Sequence, residues 1–267
     1  MVIRRIRDHV ADQNWFAVAI DLAIVVLGVL IATQVSNWNE ARIEAEQGRS
    51  YRARLVDELD YNTRQHRAQQ AYYIQVRGHG VAALSALRSG QVTDSARFVI
   101  DAYQLTQIDP APAKSYIYNE MISAGLVSRI GNERVQEAAS DYYVQVSAND
   151  RQNQMTFPYR EIIRAIVPRE IQGEIQQKCG DVLIYYRKRI VGQRLREPCT
   201  ARFDPLLASQ AAAAIRREPN IERDLVRYIG STEERLDSFR FSLMMAADLH
   251  AALGLGERQR EGTPAVP

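Results

Sequence analysis

The chain has 267 residues, 46% of them hydrophobic and 25% charged, and its 34 basic and 32 acidic side chains leave a formal net charge of +2. That balance, with arginines spread along every segment, excludes a nucleic-acid reading, which needs a concentrated basic face. Only Lys114, Lys178 and Lys188 are lysines, an arginine excess that reads as codon bias before recognition chemistry.

Residues 1–14 are polar and basic and read as a short helical lead-in at a membrane surface. Residues 15–35, WFAVAIDLAIVVLGVLIATQV, carry one charge, Asp21. A helix crossing a hydrocarbon core about 30 Å thick needs about 20 apolar residues. The twelve Leu, Ile, Val and Phe residues here each favour insertion by about 0.3–0.6 kcal/mol, against a cost of roughly 2.5–3.5 kcal/mol for one central acid. Insertion wins. Trp15 and Trp38 are the only tryptophans and bracket the run, roughly 35 Å apart along a helix, where headgroup-level aromatics belong. A cleavable signal peptide would have a shorter apolar region, about 7–15 residues, ending in a small-x-small site, and Ile31-Ala32-Thr33-Gln34-Val35 lacks that pattern.

The spacing therefore predicts a single transmembrane helix over 15–36, with residues 1–14 cytoplasmic and 37–253 exported from a bacterial inner membrane. Arg4, Arg5 and Arg7 ahead of the span set this orientation by the positive-inside rule, although Arg42, Arg49, Arg52 and Arg54 follow it. On a helix, Ala17, Asp21, Val25, Gly28 and Ala32 fall within about 40° of one another. Gly28 and Ala32 have the small-xxx-small spacing that lets helices approach closely. The sharper reading is a packing face for a second copy or another membrane protein, with Asp21 hydrogen-bonded across the seam. The plainer one is an acid near the inner edge reaching for the headgroups.

Beyond the span there is no proline before Pro110, so a helix is expected to leave the membrane unbroken. Leu55, Val56, Leu59, Tyr72, Tyr73 and Val76 mark its apolar face, residues 62–70 read as polar all round, and a break is expected at Gly78 or Gly80. Thr93-Asp94 opens a helix through Phe98, Ile100 and Leu105. Asp109-Pro110-Ala111-Pro112 is a loop, and Ser115 is placed to cap a helix over 116–130, ended by Gly131-Asn132. Further helices are expected over 133–156, around Ile162, Ile163 and Ile166, over 206–217, and over 221–253, where Leu225, Ile229, Leu236, Phe239, Leu243 and Leu249 make a buried stripe. The VLIYY run inside 180–189 fits a strand or a buried helical turn, and context favours helix. Residues 254–267 read as a disordered tail. Cys179 and Cys199 lie in the exported part and are expected to pair, the alternative being two unrelated buried thiols. The fold class expected is all-α, a helical bundle behind one span.

Residues 19–42, AIDLAIVVLGVLIATQVSNWNEAR, resemble the opening of an uncharacterised bacterial family of single-span membrane proteins whose span begins with an acid and ends in Gln-x-x-Asn-Trp-Asn-Glu. Gln34, Asn37, Trp38, Asn39 and Glu40 stand at those positions, and Asp21 stands where the family typically carries Glu. Residues 118–126, with Tyr142 and Tyr143 downstream, are similar to its central segment. The resemblance implies the topology and the helical domain and supplies no activity. It draws attention to Gln34, Asn37, Asn39 and Glu40 as a polar collar, which either caps the interface or is read by a partner subunit.

Other motifs are set aside. Gly78-His79-Gly80-Val81-Ala82-Ala83 spells a dinucleotide fingerprint without the surrounding strand–helix alternation. His9, His66, His79 and His250 show no metal-ligand spacing and read as exposed. Asp57, Glu58 and Asp60 read as a solvated face, and Tyr142, Tyr143, Tyr185 and Tyr186 as core edge. No catalytic residue, cofactor site or metal site is expected. The expected partners are the lipid bilayer and a second copy or another membrane protein, with no nucleic acid. The function expected is an anchored, non-enzymatic interaction or assembly protein, the alternative being an exported helical-bundle sensor that signals through a partner.

Overall fold

The computed structural model describes residues 15–90 and 92–255, without the side chains of Trp15 and Ala17. The expected cytoplasmic segment 1–14, with His9, and all of the expected tail beyond Leu255 lie outside the described residues. Among those described there are eight α-helices and one two-stranded sheet. The helices are α1 (Trp15–Arg88), α2 (Ser95–Gln104), α3 (Tyr116–Ser123), α4 (Glu133–Asn153), α5 (Pro158–Ile166), α6 (Arg169–Cys179), α7 (Pro205–Arg217) and α8 (Ile221–Ala252). Strands β1 (Asp181–Tyr186) and β2 (Arg189–Leu195) lie between α6 and α7. The chain forms two compact units, Met1–Ser50 and Tyr51–Pro267, whereas the change in composition had suggested a boundary at 36/37.

In the first unit, all twelve large apolar residues of 16–35 are exposed, from 43% to 74%. This is one N-terminal helix long and apolar enough to cross a membrane, with an 18-residue window of mean hydropathy 2.4.

The second unit is built around two apolar cores strung along residues 51–88. One gathers Leu55 and Leu59 with Ile117, Met121, Val135, Tyr142, Tyr143 and the end of α8, Ala246 to Leu253. The other gathers Tyr72, Tyr73, Val76 and Ala83 with α2, α5, α6, α7 and the first half of α8. Asp94 caps α2 by accepting from the Arg97 N–H at 2.9 Å, and Asp204 caps α7 by accepting from the Leu206 and Leu207 N–H groups. Each is a polar acceptor for donors that the first turn leaves free.

Several expectations need correction. α1 runs through Gly78 and Gly80 to Arg88, because Gly80 is where another element comes close: a Cβ there would lie 2.7 Å from Leu105. The helix expected over 116–130 ends at Ser123. Gly125 takes φ +67°, and the Leu126 N–H bonds back to Met121 O at 2.9 Å, a Schellman stop. Ser115 makes no side-chain cap bond. Its hydroxyl accepts from the Asn119 amide instead.

The VLIYY run is a strand, not helix. Residues 181–186 alternate in exposure and pair antiparallel with 189–195, and β-branched and aromatic side chains suit a half-buried pleated surface. Arg187 and Lys188 form its two-residue turn at φ 46° and 64°, the left-handed geometry of a type I′ hairpin without its usual Asn or Gly. β2 lies close on α1: a Cβ at Gly192 would sit 2.6 Å from the Ala68 Cβ.

Candidate functional site

Between the two cores α1 is polar, as the sequence reading of 62–70 had it, but five of these polar side chains are buried and not solvated. Asn62, Thr63, Gln65, His66 and Gln69 are buried, and they face a segment whose backbone has no regular partner. The Asn62 amide donates to Lys114 O at 2.7 Å and accepts from the Lys114 N–H at 2.8 Å. Gln65 donates to Ala111 O and Pro112 O, and Gln69 to Ala111 O. The prolines of 109–115 keep the loop out of a helix, so its carbonyls need donors from elsewhere. A stripe of carboxamides on α1 supplies them.

The polar belt continues across the domain. Glu58, expected on a solvated face, is 2% exposed; its carboxylate accepts from Tyr143 Oη at 2.7 Å and from the Ile117 N–H at 3.1 Å. Burial and that carboxylate push the Tyr143 hydroxyl far above its ordinary pKa. Asp57 stays exposed and Asp60 pairs with Arg64 at 3.2 Å. On the far side, Asn149 of α4 donates to Ser242 of α8 at 2.6 Å, and Gln145 donates to Ser238.

Three of the four histidines are buried, contrary to expectation. His66 is 1% exposed, lies edge-on to Tyr142 at 6.5 Å and tilted against Phe239 at 6.0 Å, and neither ring nitrogen has a hydrogen-bond partner. Burial outweighs the pull of nearby Gln69 and takes its pKa down to about 4. Tyr142 Oη, Gln65 Oε1 and Arg235 Nε are likewise buried without partners. His250 is lowered by burial too. His79 is held differently: its Nδ1 lies 2.7 Å from Asp101 Oδ1, Arg97 binds the other carboxylate oxygen at 3.0 Å, and Nε2 faces Glu197 at 4.0 Å. The fingerprint-like Gly78–Ala83 stretch containing His79 is interior helix. Among the described residues no three His, Cys, Asp or Glu side chains gather as a metal site.

Of the residues singled out on the span, Asp21, Val25, Gly28 and Ala32 are all exposed, a Cβ on Gly28 would meet nothing within 4 Å, and the side chains of Ala17 and Trp15 lie outside the described residues. Trp38 is exposed, as are Gln34, Asn37, Asn39 and Glu40, with the Ser36 hydroxyl donating to Glu40 at 3.2 Å. Cys179 and Cys199 form a disulfide. Tyr142 and Tyr143 are core residues, whereas Tyr185 is 62% exposed.

No family model matches the sequence, and no curated protein and no solved structure matches it.

Proposed function

We propose that this chain is a membrane-anchored, non-enzymatic interaction or assembly protein of the bacterial cell envelope, related to the single-span family that its anchor resembles. The observation that carries the proposal is the exposure of all twelve large apolar residues of 16–35. Burying that surface in lipid or against another helix recovers the hydrophobic free energy that water denies it. In this reading residues 15–36 cross the inner membrane once, Arg4, Arg5 and Arg7 keep residues 1–14 in the cytoplasm, and the helical domain is periplasmic. Asp21, Val25, Gly28 and Ala32 meet a second copy or another membrane protein, with Gln34, Asn37, Asn39 and Glu40 at the outer collar. Crosslinking in intact membranes tests it: Asp21→Leu and Gly28→Leu should each remove the partner band, and unchanged bands would rule the packing face out.

A second reading, an exported sensor or small-ligand binding domain, is favoured by one observation, the unpartnered polar atoms of His66, Tyr142 and Gln65 in the interior. A buried polar atom without a partner is costly, and a small polar ligand would relieve it. A ligand that raises the melting temperature of the wild type and not of His66→Phe would support this reading.

A further inference from the structure

One end of the β-hairpin carries a group of cations, of which only Arg64 is paired with an acid among the described residues. Tyr61 of α1 pins this end by donating its hydroxyl to Ile190 O at 2.6 Å, and Lys114 Nζ sits 3.4 Å from the centre of the Tyr61 ring. Beside it, Arg64 lies 3.8 Å from the centre of the Tyr186 ring and Arg187 lies 5.2 Å from the same centre. Lys188 completes the turn and Arg189 follows it. Both flanks are fixed, one by the Asn62 clamp on the Lys114 backbone and the other by the close approach of Gly192 to Ala68.

The nearby acids are committed elsewhere. Asp60 pairs with Arg64, Glu58 is buried on Tyr143 and Ile117, and Asp109 accepts from the Ala111 N–H through one oxygen while the other is buried without a partner. Among the described residues no carboxylate lies within 4.0 Å of Lys114, Arg187, Lys188 or Arg189. The turn itself places two long cations at left-handed φ, where Gly or Asn would sit without strain. Tyr185 and Ile190, register partners and both exposed, are one register step from the Tyr186–Arg189 pair and so take the opposite face of the hairpin.

We propose that Lys114, Arg187, Lys188 and Arg189 form a binding site for a phosphate group. Several cations at one hairpin end favour a multiply charged phosphate over a single carboxylate, since each added charge is counted against every cation. The site lies on the helical domain and does not depend on the span proposal.

Isothermal titration of the full chain in a neutral detergent at low salt tests it, with inorganic phosphate and glycerol phosphate as probes. Both should saturate, and added sodium chloride should weaken them as it screens the site. The variant Arg187→Gln/Lys188→Gln/Arg189→Gln should bind at least about tenfold more weakly, and Lys114→Met should bind more weakly than wild type. The exposed control Arg134→Gln/Arg151→Gln/Arg227→Gln should bind as wild type, with unchanged helical circular dichroism in all variants. Tighter binding of glycerol phosphate assigns a phospholipid-type or other organic carrier, and equal binding assigns free phosphate; either upholds the site. No saturation by either probe, or equal weakening in the control, would overturn it.

Discussion

Asn62 and Lys114 are joined as two neighbouring strand residues would be: one side-chain amide both gives a hydrogen bond to the Lys114 carbonyl and takes one from its N–H, at 2.7 and 2.8 Å. A carboxamide is the one neutral side-chain group with a donor and an acceptor in this fixed geometry. Asn62→Ala leaves both backbone groups without their partner, and each such loss costs about 1–3 kcal/mol. The expected outcome is a loss of about 2–4 kcal/mol in chemical denaturation, with faster amide exchange at 110–114.

The Glu58 carboxylate and the Tyr143 hydroxyl are both buried and 2.7 Å apart. Tyr143→Phe should destabilise by about 1.5–3 kcal/mol, the range for a hydrogen bond to a charged group. In a double-mutant cycle with Glu58→Gln, the pair should show a favourable coupling, because the Tyr143 hydroxyl donates to the Glu58 carboxylate directly. Additive effects would separate them.

His66 makes the fold sensitive to mild acid. Its pKa is about 4 in the folded chain against 6.5 for an ordinary histidine, so the unfolded chain takes up a proton that the folded chain refuses. The stability from neutral His66 is full above pH 6.5 and is lost as pH falls from there toward 4, by about 3 kcal/mol in all. His250, also lowered by burial, acts in the same direction. Asp109 and Asp181, raised by burial, act in the opposite one. Urea midpoints of the wild type should fall between pH 7 and pH 5, and His66→Phe should flatten that slope.

The Cys179–Cys199 bond closes a loop with a sequence separation of 20 that contains the whole hairpin. Constraining the unfolded chain over a loop of that size stabilises by about 3 kcal/mol. Reduction with dithiothreitol should lower the denaturation midpoint accordingly and speed amide exchange in 181–195.

Much of the helical architecture could be read from periodicity and caps. Asp94 announced α2, the prolines announced the 109–115 loop, and of the expected stripe Leu225, Ile229, Leu236, Phe239 and Leu249 are buried while Leu243 is partly exposed. The polar belt was not legible, because Asn62, Gln65 and Gln69 spell a solvated helix unless the loop that they satisfy is known to lie against them. Sequence also gives no sign that Glu58 will meet Tyr143, which is 85 residues away. The hairpin was hidden by its turn, in which Arg187 and Lys188 stand where Asn-Gly would have signalled it. One signal was available: Val182, Ile184, Tyr185 and Tyr186 are the β-branched and aromatic types that favour a strand.

The central claim is that residues 15–36 hold this chain in a bilayer. Alkaline carbonate washing of membranes from cells making the full chain with a C-terminal epitope tests it most directly. The chain should stay with the membrane pellet at its full-length mass, and its recovery in the wash supernatant would contradict the account.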